Sequence, residues 1–420
     1  MDKKLKEKIK KKLITDYRGL FSQQGKFDEG ELRRAFSEIF DDLAQDENIL
    51  VPLNDRQALM NEFLVEFIGF GPIEDLLNDP TITEIMINGA KKIFIEKDGH
   101  KQLSKATFES EDQLRHLVDK ILMPTRRHVD EFFPFTDVSL KDGSRVNIII
   151  PPLALDGVTV TIRKFLETIK KVEDLLKVGT LDKRMADFLI ACMKAKMNIV
   201  IGGATGSGKT TTLGVLSTYI HNQERIITIE DTAELHLFQE HVVRLETRQP
   251  NIEGKGEVTT RDLFRNSLRM RPQRIILGEI RGGEALDMLQ AICSGHTGSL
   301  AVIHANTPED VIYRIETMIL TSGVPIGLDA IHRQVAAAVN ILIQQDQLVD
   351  GTRKITHIAQ VNGLANGRAV LEDIFYYDIE DVEQSGKVRG RWKATGIVPC
   401  FYPMLKKAGV ALPKEIFNKD

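Results

Sequence analysis

The chain has few of the features that mark secreted or membrane proteins. Its three cysteines, Cys192, Cys293 and Cys400, are too few and too widely spaced for a disulfide framework or a zinc site, and we expect reduced, buried thiols. No segment reaches the roughly 18 consecutive apolar residues that a membrane span requires. The lysine-rich N-terminus lacks the apolar stretch of a signal peptide. These absences predict a soluble protein that is not exported by that route, with no structural metal.

An excess of positive charge is also missing. Lys and Arg number 56 against 60 Asp and Glu, which leaves a formal net charge of -4. No general field therefore exists to attract nucleic acid or anionic lipid. The composition, 42% hydrophobic and 28% charged, is close to that of ordinary globular proteins and excludes a wholly disordered or fibrous chain. At about 150 residues per domain, 420 residues predict two or three domains.

The first region, residues 1–60, is predicted to be helical. Leu5, Ile9 and Leu13 recur at i, i+4 and i+8 among many lysines, which is typical of a basic amphipathic helix. Two interpretations remain open. The apolar stripe either packs on its own domain or docks on a partner or an anionic membrane.

The remaining chain divides by its pattern of strands and turns. Residues 61–165 show short strands with turn residues between them and are predicted to form a small α/β domain. Residues 166–180 are polar and are predicted to be a linker. In residues 181–380, short apolar runs alternate with helical segments, which is typical of βαβ units and a parallel sheet, and two later runs would extend it with antiparallel strands. Residues 381–420 are predicted to be a loosely structured cap.

A phosphate-binding loop is predicted at residues 203–210, which read Gly-Ala-Thr-Gly-Ser-Gly-Lys-Thr after an apolar strand and before a helix. Glycines allow backbone N–H groups to surround phosphates at a helix N-terminus. Lys209 would reach the β- and γ-phosphate oxygens, and the Thr210 hydroxyl would bind Mg²⁺. The predicted nucleotide-binding residues of the loop are Gly203, Ala204, Thr205, Gly206, Ser207, Gly208, Lys209, Thr210 and Thr211.

Carboxylates follow two of the predicted parallel strands. Glu230 and Asp231 come after the run at 225–229, and Glu279 comes after the run at 274–277. In open α/β sheets ligands bind at the carboxyl ends of the strands. A carboxylate there can orient the attacking water or hold magnesium, and we expect Glu279 to share the metal with Thr210. The sequence leaves open whether Glu279 or Glu230 is the catalytic base.

Two histidines flank the predicted strand at 299–303, one after it and one before it. His304 ends the run at 299–303 and would lie at the same sheet edge, where it could sense the γ-phosphate or act only as a structural residue. His296, just before that strand, is a weaker candidate.

An arginine stripe is predicted on a helix over residues 260–270, because Arg261, Arg265 and Arg269 recur at i, i+4 and i+8. Three interpretations are open: a solvated face, a surface that offers cations to the carboxylates or nucleotide of a neighbouring subunit, or a contact with nucleic-acid phosphates. Stacking aromatic residues are absent from the stripe, which disfavours the third.

The motifs together resemble the secretion ATPases that power type II and type IV secretion and type IV pili. Four boxes carry the resemblance over about residues 65–380: a Walker A, an acidic box, a Walker B with glutamate and a histidine box, at 203–211, 226–234, 274–282 and 295–306. Five further segments resemble the CpaF subfamily of the tight-adherence (Flp) pilus. They are residues 71–77, 84–89, 142–147, 151–157 and 246–254.

The resemblance implies a homohexameric ring of RecA-like P-loop motor domains, each preceded by a PAS-like α/β domain on a linker. The nucleotide, ATP with ADP as product, would lie between the two domains. Arg145 and Arg163 match arginines that reach the triphosphate in this family, and Arg127 is a third candidate. Arg163 ends the strand that enters the linker and would couple phosphate charge to domain closure. The implied partners are inner-membrane platform proteins, at the cytoplasmic face of a bacterial inner membrane, without nucleic acid.

Together with the motifs, the resemblance implies a hexameric Mg²⁺-dependent ATPase that drives a type IV-like Tad/Flp pilus or a related secretion machine, with Glu279, Glu230, Lys209 and His304 as catalytic residues. It leaves open whether the motor assembles the pilus, retracts it or does both. Two other functions are compatible with a phosphate-binding loop. A nucleic-acid translocase is disfavoured by the acidic balance of charge. A nucleotide-binding scaffold with little hydrolysis is disfavoured by Glu230 and Glu279, which supply carboxylates at two strand ends.

Overall fold

The computed structural model describes residues 8–9, 12, 29–46, 56–57, 59–60, 69–97, 99–125, 127–165, 169–248, 250 and 254–420. The chain divides into two compact units, Met1–Leu166 and Glu167–Asp420. Among the described helices, none is long and apolar enough to cross a bilayer.

The N-terminal region contributes helix α1 (Glu29–Asp46) to the first unit. One face of this helix is apolar and buried, including Phe36, Ile39 and Phe40. The rings of Phe36 and Phe40 stack with centroids 5.7 Å apart. The predicted basic helix lies mostly outside the described residues, since Leu5 and Leu13 are not among them.

In the described part of the first unit, six strands form one antiparallel sheet in the order β3-β2-β1-β6-β5-β4. The helices α2 (Glu74–Asn78) and α3 (Glu111–Leu122) accompany it. Ser110 caps α3 by accepting a hydrogen bond from the Gln113 backbone N–H, and the buried stripe of α3 joins the apolar face of the sheet in one core. The strands are β1 (Ile82–Asn88), β2 (Ile93–Lys97), β3 (His100–Leu103), β4 (Phe135–Ser139), β5 (Arg145–Ile149) and β6 (Thr159–Arg163).

The described second unit is built on a nine-stranded sheet in the order β15-β14-β13-β12-β7-β11-β10-β8-β9. The strands from β12 to β9 in that order pair in parallel, and β13, β14 and β15 extend the sheet in antiparallel fashion, as predicted. The strands are β7 (Ile199–Gly203), β8 (Ile226–Glu230), β9 (Val242–Glu246), β10 (Arg274–Leu277), β11 (Leu300–His304), β12 (Ile341–Gln347), β13 (Arg353–Ala365), β14 (Arg368–Val382) and β15 (Val388–Ala394).

Helices cover both faces of this sheet, so β7, β8 and β10 are buried along their whole length. This double burial explains why these strands read as continuous apolar runs in the sequence. Two separate apolar clusters lie on the two faces. The helices are α4 (Val172–Lys177), α5 (Lys183–Lys194), α6 (Lys209–Ser217), α7 (Thr260–Ser267), α8 (Glu284–Cys293), α9 (Pro308–Thr321), α10 (Leu328–Ala338) and α11 (Tyr402–Lys407).

The prediction of a loosely structured cap at 381–420 is wrong. Residue 381 lies inside β14, and β15 pairs with β14 along its length. Phe401, Leu405 and Phe417 are buried in the core, where the Phe417 ring contacts that of Phe188 on α5 at 5.5 Å. The tail is ordered because these aromatic and aliphatic side chains complete the core of the second unit.

The predicted linker at 166–180 is shorter in the structure. Residues 166–168 lie outside the described residues, but α4 occupies Val172–Lys177, and Val172 and Leu175 are buried in the core of the second unit. Lys170 and Lys171, two of the polar residues that suggested a linker, come directly before this helix, and Lys171 is its N-cap.

The cysteines differ from one another in burial. All three are described and free; Cys192 is buried, as expected for all of them, whereas Cys293 and Cys400 are exposed. Burial raises the pKa of the Cys192 thiol well above its usual range.

The arginine stripe has a structural role that none of the three interpretations anticipated. Arg261 and Arg265 both bind the carboxylate of Asp287 on α8, at 2.6 and 3.0 Å, and thereby join α7 to α8. Arg274, further along, is fully buried and is paired with Glu224 at 2.9 Å.

Candidate active site

The phosphate-loop sequence forms a tight connection between β7 and α6. Gly206 and Gly208 have φ angles of +79° and +95°, in the left-handed region that favours glycine. A Cβ atom at Gly203 would lie 2.3 Å from the main-chain oxygen of Gln345, so no side chain fits there. The glycines therefore allow both the turn and the close approach of neighbouring strands.

The loop is supported from β12 and β13. Gln345 donates a hydrogen bond from Nε2 to the Ser207 carbonyl at 2.9 Å, and Arg353 donates from Nε to the Gly206 carbonyl at 2.8 Å. Sequence reasoning missed both residues. The one signal in the sequence was a pair of glutamines, 344 and 345, directly after the apolar residues 341–343 of the strand, where buried polar side chains require partners.

The side chains of the loop fit an anionic ligand. Lys209 is 6% exposed, and its ammonium donates a hydrogen bond to the Ala204 carbonyl at 2.7 Å. The Ser207 hydroxyl is buried and has no hydrogen-bond partner in the described residues. A buried ammonium and an unsatisfied hydroxyl at a helix N-terminus match the needs of a bound phosphate.

The residues also fit Mg²⁺, which prefers few protein oxygens together with phosphate and water. The Thr210 hydroxyl lies on the first turn of α6, half-buried, and the Glu279 carboxylate is 20% exposed. Within the described ranges, no group of three or more His, Cys, Asp or Glu side chains forms a denser metal site.

Glu279, which follows β10, belongs to a chain of charged groups. One carboxylate oxygen lies 3.2 Å from Nε2 of His304, and the other accepts a hydrogen bond from Arg281 at 2.7 Å. Arg281 also binds Asp231 at 3.3 Å. Burial, followed by the charge of Lys209, lowers the pKa of His304, so its imidazole is neutral at neutral pH. Arg281 was missed at the sequence level.

Glu230 is placed differently from Glu279. It ends β8, is 3% exposed and accepts backbone hydrogen bonds from Glu234 and Leu235 at 2.8 and 3.0 Å through one oxygen. Burial raises the pKa of Glu230 to about 7. The carboxyl group therefore shapes the turn after β8 and can hold a proton near neutral pH.

A cavity of about 550 Å³ joins the loop to His304. Its walls come from the start of the loop, the end of β11 and one face of α9. His296 lies away from these walls, where its Nδ1 is 3.3 Å from the Ala291 carbonyl at the end of α8. The residues that line the cavity include Gly203, Ala204, Thr205, His304, Asp310 and Arg314.

The three candidate arginines of the first unit lie in two places. Arg145 on β5 and Arg163 on β6 are direct cross-strand partners. The Arg163 guanidinium is 46% exposed and lies 3.9 Å from the Glu84 carboxylate. Arg127 is exposed in the segment that follows α3.

Comparison with known sequences identifies relatives over most of the chain. A protein of Mycobacterium tuberculosis (strain H37Rv), whose name links it to conjugal transfer, is 32% identical over 336 residues, covering 78% of this chain and 94% of that protein. The type IV secretion system protein VirB11 of Brucella suis is 32% identical over 347 residues, covering 75% of this chain and 93% of that protein.

The fold also matches a solved structure. The pilus retraction motor PilT with bound ADP aligns with a TM-score of 0.51 at 22% identity, covering 72% of this chain and 80% of that chain. The family model described as "Type II/IV secretion system protein" matches residues 66–391, well over half of the sequence. This chain belongs to the type II/IV secretion system protein family.

Proposed function

We propose that the protein is an Mg²⁺-dependent ATPase that works as the motor of a secretion or pilus machine. The observation that carries the proposal is the position of Lys209 and the Glu279–His304 pair at the carboxyl ends of the neighbouring strands β7, β10 and β11. This sheet edge is where open α/β sheets bind nucleotides.

Each residue has a role in the proposed reaction. The loop from Gly203 to Thr211 surrounds the phosphates, and Lys209 stabilises negative charge on the β- and γ-phosphates. Thr210 and Glu279 hold Mg²⁺, which when bound neutralises charge on the phosphates. Glu279 or Glu230 orients the attacking water, and His304 keeps the Glu279 carboxylate in place at 3.2 Å.

We extend the proposal to the assembled machine. Arg163, Arg145 and Arg127 of the first unit contact the triphosphate, the active form is a homohexamer, and ATP hydrolysis is coupled to inner-membrane platform proteins. Support for the link to a secretion machine comes from the relatives, since the 32% identical protein of Brucella suis is named as the type IV secretion system protein VirB11. The CpaF-like segments favour assembly of a tight-adherence (Flp) pilus at the cytoplasmic face of a bacterial inner membrane.

The test is steady-state ATP hydrolysis as a function of protein concentration with Mg²⁺. Wild type is compared with Lys209→Ala, Glu279→Gln and the control Glu240→Gln, which changes an exposed glutamate away from the cavity. We expect a rate per subunit that rises with concentration in wild type and in the control. Loss of one catalytic charge should lower the rate of Lys209→Ala and Glu279→Gln by a factor on the order of a hundred or more.

Three outcomes would contradict the proposal. Hydrolysis by Lys209→Ala at the wild-type rate would remove the loop from the reaction. Nucleotide binding by wild type without hydrolysis above that of Glu279→Gln would favour a scaffold, and strong stimulation by DNA would favour a translocase.

A further inference from the structure

We propose that Gln344 on β12 is a positioning residue for His304, because it holds the main chain that follows His304 at the end of β11. This inference rests on the proposed function, in which His304 keeps the Glu279 carboxylate in place. It adds a residue outside the four sequence boxes. The Gln344 amide is in turn fixed by Asp346 on β12 and by a residue of β13.

The Gln344 side chain crosses a neighbouring strand to reach its partners. In the sheet, β12 lies beside β7, and β11 lies on the far side of β7. Gln344 is directly opposite Gly202 of β7, which is directly opposite Ile303 of β11. A Cβ atom at Gly202 would lie 2.7 Å from Oε1 of Gln344, so the glycine leaves the path of this side chain open.

Beyond β7, the Gln344 amide binds the segment after His304. Its Nε2 donates to the carbonyl of Asn306 at 3.0 Å and to the carbonyl of Ala305 at 3.3 Å. His304 is the last residue of β11, and its Nε2 lies 3.2 Å from the Glu279 carboxylate. The amide therefore fixes the chain one and two residues beyond the imidazole.

The orientation of this amide follows from the atoms around it. Besides the two carbonyls, Nε2 of Gln344 donates to Oδ1 of Asp346 at 2.8 Å. Three acceptors around one atom require the nitrogen of the amide, since the oxygen would be repelled there. Gln344 is 1% exposed, so loss of its donors leaves buried acceptors without a partner, which is costly.

A β-bulge in β13 completes the hydrogen-bonded chain. The register between β12 and β13 shifts between Gln344 and Gln345, and Thr356 is the additional residue on β13. Its hydroxyl donates to Oδ2 of Asp346 at 2.5 Å. The two oxygens of Asp346 thus connect β13 to the Gln344 amide. Bulges next to active sites commonly redirect a side chain in this way.

The two consecutive glutamines of β12 serve different parts of the site. Successive side chains of a strand point to opposite faces of the sheet. Gln345 supports the phosphate loop through the Ser207 carbonyl, whereas Gln344 holds the end of β11. Loss of Gln344 should therefore slow hydrolysis and leave the affinity of the loop for ADP unchanged.

The experiment compares wild type with Gln344→Met, which keeps a long side chain and removes its donors. Gln360→Met is the matched control, because Gln360 is also 1% exposed and lies on β13, where it donates to Glu372 at 2.8 Å outside the cavity. A second pair, Thr356→Val and Thr356→Ser, removes or keeps the hydroxyl with a small change of shape. The measurements are kcat and KM of ATP hydrolysis with Mg²⁺, the affinity for MgADP, and hydrogen–deuterium exchange of the nucleotide-free proteins.

We expect Gln344→Met to lower kcat roughly ten- to hundredfold, as for a catalytic group that is slightly misplaced, while KM and the affinity for MgADP change by about twofold or less. Backbone amides of residues 303–307 should exchange faster, and those of the loop at 203–211 should exchange as in wild type. Thr356→Val should lower kcat by roughly three- to tenfold, as for part of one buried hydrogen bond. Thr356→Ser and Gln360→Met should match wild type in kcat and in exchange of both segments.

Failure of this inference is distinguishable from failure of the proposed function. If wild type hydrolyses ATP and Gln344→Met has the same kcat, or if Gln360→Met loses as much activity, Gln344 does not position His304. Unchanged exchange at 303–307 in Gln344→Met would also overturn the inference, even with a lower kcat. If wild type hydrolyses no ATP, the proposed function itself is wrong, and the exchange measurement still decides whether Gln344 holds the end of β11.

Discussion

Glu230 is a carboxyl group that the fold removes from water. It is 3% exposed, and burial raises its pKa to about 7 from an ordinary 4.5. The folded protein therefore keeps a proton that the unfolded chain loses between these pH values. The stability linked to this proton is present below the unfolded pKa and is lost as pH rises through about 7.

The substitution Glu230→Gln tests this effect, because glutamine stays neutral and keeps an oxygen acceptor for the two backbone N–H groups. The free energy of unfolding of the variant minus that of wild type should rise by up to about 3 kcal/mol between about pH 5 and about pH 8. The size follows from about 1.4 kcal/mol for each unit by which the pKa is raised. Urea denaturation of both nucleotide-free proteins in a chelating buffer, repeated at each pH, measures these free energies of unfolding. The exposed Glu240→Gln should show no such rise, and a constant difference for Glu230→Gln would exclude the raised pKa.

Single residues differ in how far the sequence predicts them. The sequence predicts Lys209 and Glu279 as site residues because each follows an apolar strand within a few positions along the chain. The pairing of Arg281 with Asp231 was missed because it joins the ends of separate strands, β10 and β8. The burial of Arg274 was missed for the same reason, since its partner Glu224 lies 50 residues earlier.

At the scale of secondary-structure elements, the phosphate loop depends on the strand β12 and on the start of β13. The Gln345 amide donates to the Ser207 carbonyl, and Gln345 itself is 2% exposed. Removal of the amide leaves a buried carbonyl without its partner. The loop would then have to reorder when a nucleotide binds.

We expect Gln345→Ala to weaken ADP binding by roughly three- to tenfold, as part of the cost of one buried hydrogen bond. Isothermal titration calorimetry with MgADP measures this change. Gln347→Ala, two residues further along the same strand and exposed, is the control and should bind ADP as wild type does. Equal affinity of the Gln345 and Gln347 variants would show that the loop holds its shape without this support.

Elements with a strong local pattern were predicted better than those whose pattern is ambiguous. The parallel strands and the antiparallel extension were expected, because apolar runs and helical segments alternate in the sequence. The sequence predicts a linker where the structure has helix α4, because the two buried residues of that helix, Val172 and Leu175, are too few to form a clear apolar period.

At the scale of the whole molecule, the second unit requires residues from both ends of its sequence. The aromatic residues of the tail and the apolar residues of α4 lie in the same cluster as α5 and α6. Burial of each large apolar side chain contributes roughly 1.5–3 kcal/mol. A truncation at residue 380 removes Phe401, Tyr402, Leu405 and Phe417 from that cluster.

We therefore expect a fragment of residues 169–420 to fold alone and to bind MgADP, and a fragment of residues 169–380 to unfold or aggregate. The loss of four buried side chains, roughly 6–12 kcal/mol, approaches the whole stability of a typical domain. A fragment of residues 181–420, without α4, should fold but unfold at a lower midpoint temperature than the fragment of residues 169–420. Circular dichroism melting and size-exclusion chromatography compare the three, and a stable 169–380 fragment would contradict the assignment of the tail to the core.

The sequence by itself determined the features that depend on neighbours along the chain: the phosphate loop between a strand and a helix, the glutamates and His304 at strand ends, and the α/β class of the fold. These follow from short-range patterns of glycine, charge and hydrophobicity. Tertiary structure alone decided which distant groups complete the site and the core. The donors to the Ser207 and Gly206 carbonyls lie 138 and 147 residues further along the chain. Residues of α9 line the same cavity as the loop because that helix packs against β11 and β12. Such contacts arise from strand order and helix packing, which place residues together regardless of their separation in sequence.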